Sequence, residues 1–285
     1  MTAGTNRETP RYGVLGYPTL MLGVFFLGPF GIMVAVSFFH RVPGGFYEPA
    51  FELANYARFF TPLFVEHLVL SMYVAVLVAV ICVSIGFPFT YLLTRLPRRT
   101  QVLWLVFLLS VLSLSEVIVA FSWSVLLSRT AGVSNLLAWA GLMDKPASWT
   151  PGFPAMLLGL TYLAFPYTVL MLYPPLSRLD PELGEAARTM GASPLRTFFT
   201  VVVPVLRPAI LAGLIMVFVF VLGAYLIPQI LGRPQHWTLS VLITDQAIYQ
   251  SNLPFAAAMA VFLLAASLGL IALTLGIGRR AGLRS

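Results

Sequence analysis

Long apolar runs, separated by short polar stretches, constrain this chain more than any other feature. Several of them reach the ~20 residues that an α-helix needs to cross a ~30 Å hydrocarbon core. Of the 285 residues, 59% are hydrophobic and only 9% are charged, whereas about a quarter of a soluble domain is charged. Because lipid offers the backbone no hydrogen-bond partner, the runs must form helices. The sequence predicts an all-α, polytopic membrane protein.

The apolar runs predict six membrane-spanning helices. The first run exceeds the ~7–15-residue core of a cleavable signal peptide, so we expect it to remain as a span. The single cysteine, Cys82, lies within the second run and excludes a disulfide framework. The spans are predicted at residues 17–39, 64–93, 102–127, 154–174, 209–229 and 254–277. They define an N-terminal segment at 1–16, a transmembrane domain at 17–278 and a C-terminal tail at 279–285.

The basic residues are distributed unevenly between the two sides of the predicted bundle. Twelve of the 17 lie on the side that carries both termini, and five lie on the other side. The twelve are Arg7, Arg11, Arg95, Arg98, Arg99, Arg178, Arg188, Arg196, Arg207, Arg279, Arg280 and Arg284, and the five are Arg41, Arg58, Arg129, Lys145 and Arg233. Because cytoplasmic loops carry the excess of arginine and lysine, we expect both termini in the cytoplasm of a bacterial inner membrane. The net charge of +7 therefore reflects topology and gives no reason to expect nucleic-acid binding.

One polar stretch on that side, residues 177–207, contains a predicted helix. Asp180 is a candidate N-cap before Pro181, a residue favoured at the first position of a helix. We expect the helix to end at Gly191 and a second short segment to lead to Pro204 and the next span. The residues alone fit two roles equally well. One is an interfacial amphipathic loop, and the other is a helix whose small-residue surface another protein can approach closely.

Six short motifs occur in a fixed order along the chain. They are Asn135-Leu136-Leu137 with Gly141, Phe165-Pro166-Tyr167 with Tyr173, Leu179-Asp180-Pro181, Glu185-Ala186-Ala187 with Gly191 and Val203-Pro204, Leu231-Gly232, and Asn252-Leu253-Pro254-Phe255-Ala256-Ala257-Ala258. In this order they resemble the permeases of ABC importers, and more narrowly the spermidine/putrescine-type permease family, over residues 15–280.

The resemblance implies a type I importer. In such importers two permease subunits, here expected to be different chains, form the pore. Two cytoplasmic ATPase subunits bind ATP and Mg²⁺, and an extracytoplasmic binding protein delivers the solute. By position, Glu185 would meet a basic group on an ATPase subunit, while Ala186, Ala187 and Gly191 would allow close packing. The chain lacks a glycine-rich phosphate loop with Lys-Ser or Lys-Thr. We therefore expect neither a cofactor nor enzymatic activity in this chain.

Glu116 is the most prominent candidate for the solute pathway, because an ionisable group inside a span is costly and usually faces a polar cavity or a partner. Counted from Arg98 and Arg99 along a straight helix, it lies roughly 25 Å from the cytoplasmic side. Contact with a cationic solute, a structural hydrogen bond and a position nearer the outer interface all remain open. Four aromatic residues either line the pathway, where their faces suit cations, or pack at the interface. These are Trp123, Tyr162, Tyr167 and Tyr225.

Two departures from the family pattern bear on the substrate. Many polyamine-type permeases have arginine at the first position of the stretch Val119-Ala120-Phe121-Ser122-Trp123, and many have an acid between Gly223 and Tyr225, where this chain has Ala224. A polyamine or a related small organic solute is predicted, and an opine or another amino-acid derivative remains an alternative.

A stand-alone secondary transporter would also have six spans, but it would not need the motif around Glu185. The outer loops at 46–66 and 232–253 are long enough to contact a binding protein. His40, His67 and His236 are scattered along the chain, so no metal site is expected.

Overall fold

The computed structural model describes residues 12–42, 44–45, 47–130 and 132–282. These residues are largely helical and, apart from one bridge between His40 and Glu48, contain no β-structure. The helices are α1 (Tyr12–Leu22), α2 (Gly28–Val36), α3 (Ala54–Ala57), α4 (Pro62–Thr94), α5 (Arg98–Leu112), α6 (Glu116–Leu126), α7 (Val133–Trp139), α8 (Phe153–Ser177), α9 (Pro181–Thr189), α10 (Pro194–Thr197), α11 (Val203–Val205), α12 (Arg207–Gly223), α13 (Leu226–Leu231), α14 (Leu239–Thr244) and α15 (Leu253–Gly282). The predicted all-α class is confirmed.

Short segments of other helix types connect several of these helices. Those with π-helical hydrogen bonds are Gly23–Leu27, Phe198–Val202 and Asp245–Tyr249, and those with 3-10 hydrogen bonds are Arg58–Phe60 and Pro234–His236. Most of the predicted N-terminal segment, the last residues of the predicted tail and three of the predicted cytoplasmic arginines lie outside the described residues. These arginines are Arg7, Arg11 and Arg284.

Four stretches are each long and apolar enough to cross a membrane. They are Pro18–Val36, Pro62–Thr94, Phe153–Ser177 and Leu253–Gly276. They correspond to the first, second, fourth and sixth predicted spans, with ends that differ by a few residues.

The third predicted span is not straight. Helices α5 and α6 meet at an angle of 92° across residues 113–115. The hydroxyl of Ser113 donates a 3.0 Å hydrogen bond to the carbonyl of Leu109, and Ser115 has an extended backbone. Serine side chains that bond the backbone in this way compete with helical hydrogen bonds. The assumption that one straight helix runs from Arg98 and Arg99 to Glu116 is therefore wrong.

The fifth predicted span ends earlier than expected. Helix α12 ends at Gly223, and Ala224 is extended before α13 begins. A continuous helix would place the ring of Pro228 against the carbonyl of Ala224, four residues earlier, and would leave that carbonyl without its usual donor. The predicted boundary at residue 229 is therefore wrong. The break instead leaves Tyr225 at the junction between the two helices.

The chain divides into two compact units. One unit combines the residues up to 61 with 243–266, and the other combines 62–242 with the residues from 267 onward. In the first unit, the buried ring of Phe59 stacks on Phe262 with centroids 4.8 Å apart. The buried amide of Asn55 donates 3.1 Å hydrogen bonds to the carbonyls of Ser37 and Phe39. These contacts hold α3 against the end of the first span.

The second unit is built around α4, α8 and α12, which pack against one another. Its fully buried side chains are mostly aliphatic, and they include Val74, Val78, Met156, Leu160 and Leu172. Gly86 on α4 allows a close approach, because a β-carbon there would lie 3.0 Å from Thr168 Cγ2 on α8. Small residues at such crossings are typical of membrane helices.

Candidate coupling helix and pathway residues

The polar helix predicted in the loop at 177–207 is α9, and it begins where expected. The Asp180 carboxylate accepts a 2.9 Å hydrogen bond from the Glu182 amide, and the Asp180 backbone is extended. Pro181 occupies the first helical position, where no amide donor is needed. The predicted N-cap is confirmed, and local sequence alone is sufficient to begin this helix.

The end of α9 is also as predicted. Gly191 has a φ of +85°, and the Gly191 amide donates to the carbonyl of Arg188 at 2.9 Å. The Ala192 amide donates to the carbonyl of Ala187 at 3.1 Å, which completes the paired hydrogen bonds of a glycine-terminated helix. A β-carbon at Gly191 would meet nothing within 4 Å in this chain. The backbone conformation, rather than packing within the chain, therefore favours glycine here.

A second cap follows immediately after the glycine. The hydroxyl of Ser193 accepts a 3.3 Å hydrogen bond from the Arg196 amide, and Pro194 occupies the first position of α10. Two capped helices in series thus form the helix–turn–helix that the sequence predicted in this loop.

The surface of this turn combines exposed acids with exposed apolar side chains. Glu185 and Ala186 are exposed and Ala187 is half-buried, and Glu185 forms no ion pair within the described part of the chain. The apolar members of this surface were not predicted from the sequence, although apolar residues inside a polar loop were a visible signal. They are Met190, Leu195 and Phe199, with 88%, 73% and 65% of their surface exposed. Clustered exposed apolar side chains are typical of a protein contact.

Glu116, the first residue of α6, lies close to the start of α13. The backbone of Ile227 is within hydrogen-bonding reach of its carboxylate, and α6 packs on α13. The side chain is half-buried, and its Oε1 atom is buried without a hydrogen-bond partner among the described residues. The acid thus has one contact within its own chain and one unused oxygen.

The four predicted aromatic residues fall into separate contacts rather than one cluster. Trp123 on α6 packs edge-on against Tyr162 on α8, with ring centroids 5.6 Å apart. Tyr167, one and a half turns further along α8, contacts Phe220 on α12 at 4.8 Å. Tyr225 lies at the break between α12 and α13 and is 36% exposed. Their assignment to a solute pathway remains a prediction.

One face of α6 is apolar and open. Its exposed side chains are Val117, Ile118, Phe121 and Val125, and they line a shallow groove together with Ser122. Val119, the position where many polyamine-type permeases have arginine, lies on the opposite side and is 4% exposed. Helix α6 therefore has one packed face, which includes Val119, and one face whose side chains are exposed in this chain.

The histidines occupy unrelated environments. His40 lies 3.1 Å from the carboxylate of Glu52, and the ring of His67 bonds a backbone carbonyl one turn earlier at 2.7 Å. Burial, and then the charge of Arg233, lower the pKa of His236. Among the described residues, no group of three metal-ligating side chains comes together.

Comparison with known proteins places this architecture among transport permeases. The family described as "Binding-protein-dependent transport system inner membrane component" matches residues 28–281. The spermidine/putrescine transport system permease protein PotB of Escherichia coli (strain K12) is 31% identical over 246 residues, which cover 86% of this chain and 88% of the relative. The inner membrane ABC transporter permease protein YdcU of the same organism is 28% identical over 290 residues, with 93% and 91% covered.

A solved structure is similar in fold. It is a bacterial alginate ABC transporter in complex with an alginate pentasaccharide-bound periplasmic protein. The matched chain superposes with a TM-score of 0.76 at 17% identity, and the match covers 95% of this chain and 94% of the other.

Proposed function

Because this chain belongs to the family of binding-protein-dependent transport system inner membrane components, we propose that it forms half of the solute pathway of an ABC importer for polyamines. Membership makes it a multi-pass permease of the inner membrane, and the predicted ABC importer permease class is confirmed. The relatives are transport permeases rather than enzymes, as expected.

The substrate class is supported by one observation. The polyamine permease PotB shares 31% identity with this chain over most of both proteins. The alginate importer is 17% identical, so it supports the fold but not the solute. The half-buried carboxylate of Glu116, with an unpartnered oxygen, fits a solute that carries amines. An opine or another amino-acid derivative is the alternative, because Val119 and Ala224 replace charged residues of many polyamine-type permeases.

Coupling to ATP hydrolysis is supported by the exposed surface of α9. A capped helix that exposes the acid of the motif, Glu185, beside apolar neighbours such as Met190 is suited to a groove on an ATPase subunit. One such helix serves one ATPase, so the complex needs two ATPase subunits and a second permease, which we propose is a different chain. The excess of basic residues supports cytoplasmic termini, and an extracytoplasmic binding protein would dock on the opposite side.

Ligand binding by the partner binding protein tests the substrate. Calorimetric titration with putrescine, spermidine and an opine should show tight binding of a polyamine. Binding of the opine alone would overturn the polyamine assignment and leave the importer class intact. Reconstitution tests the class separately. Uptake by the purified chain alone, without ATPase subunits or ATP, would identify a secondary transporter instead.

A further inference from the structure

A cavity of about 340 Å³ with both charged and apolar walls lies in the second unit, next to the start of α9. Three membrane helices meet at this point, since α4 ends at Thr94, α5 begins at Arg98 and α8 ends at Ser177. The 25 residues of α8 rise about 37 Å, which exceeds the ~30 Å hydrocarbon core. If α8 extends past the core at its carboxyl end, the cavity lies at the depth of the lipid headgroups.

Two guanidinium groups face this cavity and are held by tyrosine hydroxyls. Arg98 donates a 2.9 Å hydrogen bond to Tyr173, and Arg95 donates a 2.8 Å hydrogen bond to Tyr91. Neither arginine forms an ion pair within the residues that the structure describes. Asp180 also lines the cavity, and its carboxylate accepts the capping hydrogen bond of α9. Two arginines and one aspartate therefore give the cavity a net charge of +1.

We propose that this cavity binds the phosphate group of an anionic phospholipid. A guanidinium has five N–H donors in a planar fork that matches phosphate oxygens, and the contacts to tyrosine leave donors available. Basic pockets between membrane helices on the cytoplasmic side are known to bind lipid headgroups. A free phosphate ion shares the headgroup's chemistry but would not use the apolar part of the wall. That part consists of Leu176, Leu179, Leu183, Val201 and Val202.

The bound lipid would also restrain the helix that carries Glu185. A β-carbon at Gly184, one residue earlier, would lie 3.7 Å from a terminal nitrogen of Arg95. Arg95 therefore lies against the backbone of α9, while Arg98 belongs to α5. A phosphate held by both arginines links α9 to the ends of α4 and α5, so lipid binding reduces the motion of α9.

Native mass spectrometry of the full-length chain, titrated with phosphatidylglycerol or phosphatidylcholine, tests this site. Phosphatidylglycerol should bind preferentially, and Arg95→Gln should weaken it by about tenfold or more, because a charge-assisted hydrogen bond is lost. Arg99→Gln is the matched control. It removes the same charge from an exposed neighbouring residue that does not line the cavity. Arg95→Lys, which keeps the charge, should bind phosphatidylglycerol more tightly than Arg95→Gln does.

Hydrogen exchange of the α9 amides provides a second readout, and it should slow when phosphatidylglycerol binds. Inorganic phosphate that gives the same protection at equal concentration would identify a site for the free ion and overturn the lipid proposal. If Arg95→Gln and Arg99→Gln weaken phosphatidylglycerol binding equally, the lipid is attracted by the general surface charge and the cavity is not its binding site. Loss of ATPase binding in Arg95→Gln with unchanged lipid binding would assign the arginine to a protein contact.

Discussion

The amide of Ala192 donates a 3.1 Å hydrogen bond to the carbonyl of Ala187, and this bond depends on the left-handed backbone of the intervening Gly191, whose φ is +85°. Valine in this conformation costs about 1–2 kcal/mol, whereas asparagine adopts it more readily. We expect Gly191→Val to speed hydrogen exchange at the end of α9 and to reduce solute-stimulated ATPase activity of the assembled complex. We expect Gly191→Asn to keep the slow exchange at the end of α9 and most of the solute-stimulated ATPase activity.

The pair of variants separates two explanations for this glycine. The asparagine side chain adds bulk but tolerates the conformation, and this chain offers nothing within 4 Å for it to strike. If Gly191→Asn fails as completely as Gly191→Val while its exchange stays slow, close packing on the ATPase is the decisive factor, and the conformational account is wrong.

Reversal of the charge at Glu185 should uncouple transport from ATP hydrolysis. Its carboxylate is exposed and has no ion-pair partner in the described part of the chain, so the reversal costs little within this subunit. Next to a basic group on the ATPase, the same charge reversal costs about 2–5 kcal/mol of binding free energy. We expect Glu185→Arg to insert normally in the membrane, yet to lose solute-stimulated ATPase activity and uptake. Asp144→Arg, the same change at an exposed loop position, is the control and should remain active. Unchanged stimulation in Glu185→Arg would refute the coupling role.

The N-cap of α9 should contribute a measurable local stability. Asp180→Ala removes the acceptor of the Glu182 amide, and loss of such a cap costs about 1 kcal/mol. Asp180→Asn keeps an oxygen in the same position. We therefore expect several-fold faster exchange at the first amides of α9 in the alanine variant only. Equally fast exchange in both variants would mean that the carboxylate charge, rather than the hydrogen bond, stabilises the helix start.

The parts of the fold that could be predicted are those determined by residues close together in the sequence. Asp180-Pro181 and Gly191 define the limits of α9 through hydrogen bonds between neighbours in sequence, so both ends were predicted. Hydropathy identified the spans but not their bends, because a few small or polar residues, Ser-Leu-Ser at 113–115 and Ala-Tyr at 224–225, barely lower the mean hydropathy of a stretch of span length. Pro228 conflicts with a helix continuing through Ala224, but a proline alone does not locate a break, because Pro88 and Pro166 lie inside the continuous helices α4 and α8.

The candidate site was predictable only in part, for a related reason. Glu185 stands out as an acid in a short motif, whereas Arg95 and Arg98 were counted only as topology signals. Their shared cavity depends on Tyr91 and Tyr173, which are distant in sequence and are brought together by packing of α4, α5 and α8. No spacing rule within one helix indicates such a site.

The assembled importer should contain this chain and one different permease. If one α9 docks on one ATPase subunit, as proposed above, the complex needs a second permease, and the resemblance to polyamine-type systems implies a different chain. Co-expression of the operon with a tag on this chain, followed by intact mass measurement of the purified complex, should detect one copy of each permease and two ATPase subunits. Two copies of this chain without another permease would contradict the prediction.

The charge of Glu116 should matter more than its shape. The carboxylate lies near the Ile227 backbone, and its Oε1 has no partner in the described chain, so one oxygen is left for a solute amine. Glu116→Gln preserves the size and can still accept from the backbone, but it removes the charge. Loss of a charge-assisted contact corresponds to about 1.5–3 kcal/mol, so we expect uptake of putrescine to fall by about tenfold or more. Assembly and basal ATPase activity should persist, and Asp144→Asn, at an exposed acid in a loop, should transport normally. Normal uptake in Glu116→Gln, together with loss of assembly in Glu116→Leu, would assign Glu116 to the structural contact with α13 and remove it from the pathway.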